Sequence, residues 1–118
     1  MNPVNRLGRE GEEAAISFLS RKGYAIIEKN YRTPFGEVDI IAQDRGTIVF
    51  VEVKTRAGQS FGQPFEAVGP RKRETMKRVA LSFMKKLKKE CPARFDVLSI
   101  SFVNGRYHLE HIADAFEV

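Results

Sequence analysis

Two stretches rich in β-branched and aromatic residues, 37–43 and 47–55, are separated by only Asp44, Arg45 and Gly46. The connection is too short for a crossover, so the two runs must pair as an antiparallel hairpin. Three charged residues interrupt its apolar sequence: Asp39 in the first run, Glu52 and Lys54 in the second. Strand side chains alternate faces, which puts Glu52 and Lys54 on one face and Val49, Val51 and Val53 on the other. If Gln43 stands opposite Ile48, Asp39 falls directly across from Glu52, within about 5.5 Å. A three-residue loop with a bulge at Gly46 would shift the pairing by one residue, so the sequence leaves both registers open.

The remaining segments surround this hairpin. Residues 5–22 carry Leu7, Ala14, Ala15, Phe18 and Leu19 at helical spacing, with Gly23 as the stop. A strand is expected over 24–32, then a turn at 33–36 where Pro34 fixes φ and Gly36 admits unusual torsions. Residues 56–69 contain Gly58, Gly62, Pro64 and Gly69 without a sustained period and read as a mobile loop. A second helix over 70–90 has one apolar stripe of Met76, Val79, Ala80, Phe83, Met84 and Leu87, and Pro92 is expected to end it. Strands over 94–102 and 106–112 flank Asn104-Gly105, a strong hairpin turn. The order αβββαββ, with no repeat or linker, predicts an α/β fold: one domain over 1–118, with a mixed central β-sheet flanked by helices. The second helix provides the crossover for a parallel strand pair.

Carboxylates facing each other across a sheet repel, and removal from water raises the cost unless something compensates. A divalent cation is the simplest compensation, and oxygen-only ligands favour Mg²⁺ or Mn²⁺ over zinc. Lys54 would then orient an attacking water or neutralise a scissile phosphate. The ordinary alternative is a solvated strand face with a cross-strand ion pair, a common and weak arrangement. Apolar residues on both faces around these charges, Ile40, Ile41, Phe50 and the valines, argue for a central hairpin instead. Cys91 is the single cysteine, and His108 and His111 lack further partners at ligand spacing, so a structural zinc is not expected.

The arrangement of Asp39, Glu52 and Lys54 resembles that of the PD-(D/E)xK nuclease superfamily. More closely, Gly8-x-x-Gly11-Glu12-x-x-Ala15, Asn30-Tyr31-Arg32, Gly36-Glu37-Val38-Asp39, residues 50–56 and Arg94-Phe95-Asp96-Val97 resemble the YraN-like bacterial proteins, themselves likened to archaeal Holliday junction resolvases. The resemblance covers nearly the whole chain. It implies a restriction endonuclease-like fold and a metal-dependent endonuclease acting on branched or structured DNA. It further implies a metal held by Asp39 and Glu52, with Glu12 reaching it directly or through water, and Lys54 beside the attacking water. Val38 stands where the superfamily's nominal proline would be. Glu37 has two readings, support for the metal or an exposed strand-end carboxylate, and Glu12 near a helix start also suits the helix dipole. Related junction resolvases pair as dimers, which brings a homodimer into consideration.

The net charge of +5 and sequence pI of about 9.6 fit a polyanionic partner. Nine cations on the second helix lie outside its stripe; Arg71, Lys72 and Arg73 follow the loop that leaves the Glu52–Lys54 strand and are expected to hold the DNA backbone. Arg32 and Arg56 are further candidates, whereas the distal lysines suit a solubilising face at a helix C-terminus equally well. Phe35 and Phe61, in turn and loop, are expected to cover the core edge rather than stack on bases. Residues 1–10 hold only Met1, Val4 and Leu7 as sizeable apolar residues, and no run approaches membrane-spanning length, so the cytoplasm is the expected compartment. Two other functions compete with the nuclease: a non-catalytic nucleic-acid-binding module of the same fold, and a structural partner in a larger complex.

Overall fold

In the computed structural model the described residues are 3–57 and 68–116, with side chains described over 9–55 and 68–116. Helix α1 (Pro3–Arg21) is followed by strands β1 (Ala25–Thr33), β2 (Gly36–Asp44) and β3 (Thr47–Ala57), helix α2 (Pro70–Leu87), and strands β4 (Ala93–Val103) and β5 (Arg106–Phe116). The five strands form one sheet in the order β1-β2-β3-β4-β5. Every neighbouring pair is antiparallel except β3 and β4, which run parallel and need the α2 crossover to do so. Among the described residues, no helix is long and apolar enough to cross a membrane.

The hairpin register is the one with Gln43 opposite Ile48, continuing to Asp44 opposite Thr47. Only Arg45 and Gly46 form the loop, both at positive φ (52° and 87°), the two-residue turn whose twist matches the strands. Asn104 and Gly105 repeat it at 53° and 76°.

Each face of the sheet is covered by one helix. The α2 stripe of Met76, Val79, Ala80 and Phe83 packs with Val38, Ile41, Ile48, Phe50, Phe95 and Val97. Ala15 and Leu19 of α1 pack on the other face with Ile40, Ala42, Val49, Val51, Leu98 and Ile100. The small residues of α1 matter here, because a Cβ at Gly11 would run into the Thr55 side chain, so only glycine lets the helix sit this close to β3.

Several expected boundaries move. Helix α2 ends at Leu87 rather than at residue 90, because Lys88 adopts the left-handed conformation (φ 53°) before Pro92 is reached. Strand β5 continues four residues past 112, held by Phe116 stacked on Phe95 with centroids 4.7 Å apart. Strand β3 takes in residues 56 and 57 of the expected loop, Val68 is buried, and 58–67 lie outside the described residues, as does Phe61. Phe35 does not cover the core: it is 53% exposed, because it lies beyond the last pair, Thr33 with Gly36, where no layer overhangs the hairpin tip.

Candidate functional site

Asp39 sits where β2 departs from regularity. Val38 and Ile41 face α2 while Ile40 and Ala42 face α1, so the strict alternation of the strand breaks at Asp39. The ladder with β3 stops at the Ile40–Val51 pair. Beyond it the backbone amide of Val53 has lost a strand carbonyl and donates instead to Asp39 Oδ2 at 2.8 Å. The carboxylate thus occupies the place of a ladder acceptor and is fixed by the main chain of β3.

Glu52 is paired in parallel register with Val97 and shares its α2-side face, as does Lys54, opposite Ser99. Glu52 is buried, 5% exposed, and its Oε1 has no hydrogen-bond donor. Burial, a hydrogen-bonding approach to Asp39 and the charge of Asp39 push the Glu52 carboxyl up to about 8, against the lowering pull of Lys72 and Lys54. Two ionised carboxylates have no hydrogen to share, so at this spacing they need a proton or a cation between them.

Lys72 enters this site from the first turn of α2. Its ammonium lies 3.4 Å from Glu52 Oε2 and donates to the Glu37 carbonyl at 3.1 Å. The approach depends on Gly36, which has φ 140° and where a Cβ would strike the Thr75 methyl, so the β1–β2 turn meets the Thr75 side chain of α2 through bare backbone. The sequence offered Lys72 as a DNA contact but gave no sign of this carboxylate partner, because the intervening 58–67 carry no readable period.

The other expected residues are placed as follows. Glu12 accepts a hydrogen bond from Asn30 at 3.4 Å, and no group of three His, Cys, Asp or Glu suited to a metal forms among the described residues. Glu37 pairs with Arg32 at 2.8 Å on the exposed strand edge, which favours its strand-end reading and engages Arg32. Arg71 is exposed beside the site, whereas Arg73 is tied down, donating to the Val68 carbonyl at 2.9 Å and lying over the Phe116 ring. The side chain of Arg56 lies outside the described residues.

A second buried charge cluster lies on the α1 side of β4. Asp96, 0% exposed, accepts from Arg94 Nε and Nη2 at 2.9 and 3.1 Å and from the Asp114 amide at 3.0 Å. His111 completes it: Lys22 can only donate to Nδ1, at 2.8 Å, so the ring hydrogen sits on Nε2 and is donated to Asp96 at 2.7 Å. Burial alone would raise the Asp96 carboxyl, but the hydrogen bonds from His111, Arg94 and Asp114 outweigh it and hold the group below its ordinary value. Arg94 also reaches Tyr24 and Asp44, so the cluster joins β2, β4, β5 and the segment after α1. Its signal in the sequence is an Arg94-x-Asp96 pair on one face of an apolar strand.

Residues 11–100 match the model of the uncharacterised protein family UPF0102. The chain is 50% identical over 110 residues to a UPF0102 protein of Thermodesulfovibrio yellowstonii, covering 93% of this chain and 95% of that one. It is 47% identical over 117 residues to one of Chlorobium phaeobacteroides, with 93% of each chain covered. A UPF0102 protein of Syntrophomonas wolfei is 44% identical over 115 residues, spanning 96% of this chain and all of that relative. On the strength of these matches the chain belongs to the UPF0102 family.

Proposed function

We propose that this protein is a metal-dependent endonuclease of the restriction endonuclease-like fold, cleaving phosphodiester bonds in branched or structured DNA in the cytoplasm. The observation that carries the reading is the Glu52 carboxylate, buried with one oxygen lacking a donor, against a second carboxylate and beside two lysines. A sheet interior tolerates such a pair only with a proton or a cation to compensate it. The donor set is all oxygen and suits Mg²⁺ or Mn²⁺, which take one or two carboxylates and keep much of their water.

Asp39 and Glu52 would hold the ion, and Glu12 would join them only on leaving Asn30. Once bound, a divalent ion supplies Lewis acidity toward a phosphodiester and toward water. Asp39 is oriented for its role by the Val53 amide, and Lys54, on the Glu52 face, is positioned to neutralise charge developing on the phosphate. Arg71 and Arg32, on exposed surface near the site, would hold the DNA backbone without reading sequence.

The test is a panel of linear, flapped and four-way DNA substrates, each with and without Mg²⁺ or Mn²⁺. Cutting that requires the ion and falls by several orders of magnitude in Asp39→Ala and Lys54→Ala is the expected result. Cleavage of a junction by either variant at the unmodified rate rejects the site. The engagement of Glu12 by Asn30 favours the second reading, a nucleic-acid-binding module without catalysis. Salt-sensitive binding with no ion-dependent cutting of any substrate would establish it.

A further inference from the structure

Lys72 is in an unfavourable place for a cation. It lies in the first turn of α2, where the aligned peptide dipoles repel positive charge, between Arg71 and Arg73 and with no acidic residue in that turn. Its neighbour Arg71 is exposed to solvent and Arg73 is bound to the Val68 carbonyl and the Phe116 ring. Lys72 alone of the three turns to a buried carboxylate. The contact to Glu52 Oε2, at 3.4 Å, is longer than the 2.7–2.9 Å of a strong charge-assisted hydrogen bond. Meanwhile the same ammonium keeps a donor on the Glu37 carbonyl. An ammonium on a four-carbon stem has three donors and can pivot about one anchored hydrogen bond. The other Glu52 oxygen is left without a donor, so Lys72 reaches one oxygen without satisfying the group.

We propose that Lys72 is the built-in cation of the site: it occupies the approach to Glu52 Oε2 while no divalent ion is bound, competes with that ion for this oxygen, and when displaced pairs with a phosphate of the nucleic acid. This rests on the metal-binding reading of Asp39 and Glu52. It adds a residue that regulates filling of the site and couples it to substrate. A lysine that merely supported the fold would, on removal, leave ion affinity unchanged or weaken it. A competing lysine gives the opposite sign.

Mn²⁺ alone is titrated into the full chain, without nucleic acid, and followed by the loss of the free-ion EPR signal. The unmodified protein is compared with Lys72→Met, Lys72→Gln and Lys72→Arg. Met and Gln should bind Mn²⁺ about tenfold or more tightly, since a like charge a few ångströms away has been removed, while Arg should not tighten binding. Gln keeps a donor for the Glu37 carbonyl and gives the same comparison should Met unsettle the start of α2. Both neutral variants should also bind a non-cleaved junction more weakly in the presence of Ca²⁺. Equal or weaker Mn²⁺ binding by the folded neutral variants overturns the role of Lys72 and leaves the metal reading intact. Absence of Mn²⁺ binding by the unmodified protein overturns both.

Discussion

Glu52 and Asp96 are carboxylates on adjacent central strands, both withdrawn from water, and their surroundings act on them in opposite directions. Asp96 receives donors from Arg94, His111 and a backbone amide, whereas Glu52 meets another acceptor and a single ammonium at 3.4 Å. Linkage turns this contrast into two pH dependences. The Glu52 carboxyl is raised in the folded chain to about 8 from its ordinary 4.5, so the folded state holds a proton that the unfolded state has released between those values. Its contribution to stability is full below the lower value and is lost as pH rises toward the upper. Chemical unfolding of the ion-free protein should show Glu52→Gln more stable than the unmodified chain by about 1–3 kcal/mol at pH 8, with the gap closing toward pH 5. The Gln amide donates to Asp39, which Glu52 does only when protonated. Asp96 behaves in reverse: its folded value is lowered from 3.8, so its contribution is present above that value and lost as pH falls below it. Asp96→Asn should cost about 1–3 kcal/mol at pH 7 by the same measurement, because Arg94 and His111 lose their buried anionic acceptor and Arg94 keeps only Asp44 as a carboxylate partner, and the penalty should shrink in acid.

At the scale of elements, the contact between the β1–β2 turn and α2 decides whether the site is assembled. Gly36→Ala would strain φ 140° and push the added methyl into Thr75, moving α2 and Lys72 away from Glu37 and Glu52. The expected outcome is a loss of about 1–3 kcal/mol in denaturant unfolding, accompanied by a weaker interaction of Lys72 with the site. Much of this scaffold was legible from sequence. The apolar stripe of α2 followed from periodicity, whereas the register of the β2–β3 hairpin was one of two the sequence left open, decided by the two-residue turn at Arg45 and Gly46. Less legible were the left-handed Lys88 that stops α2, the stacking of Phe116 on distant Phe95 that extends β5, and Phe35 left outside the core. Strand arithmetic brings Asp39 near Glu52, although the ladder ends one pair short of them, at Ile40 and Val51. The break in alternation at Asp39 and the reach of Lys72 could not be read that way, because both depend on how α2 and β1 pack against the hairpin.

For the molecule as a whole, the positive charge has unequal uses. Arg94 and Arg73 are consumed internally, Arg32 is engaged by Glu37 at the surface, and Arg71 is exposed beside the candidate site. If the protein binds DNA through that surface, Arg71→Ala should reduce the slope of log affinity against log salt by about 0.9, one phosphate contact, while the unfolding midpoint stays put. Filter binding at several salt concentrations measures the slope, and an unchanged slope removes Arg71 from the interface. The two buried charge clusters also divide the work spatially. The Asp96 network clamps β2, β4, β5 and the segment after α1 together without any contribution from Asp39, Glu52 or Lys72. The clamp around Asp96 is therefore wired separately from the candidate site, so a chain with Asp39 and Glu52 both neutralised should keep its shape, a ready-made decoy against which the unmodified protein can be compared.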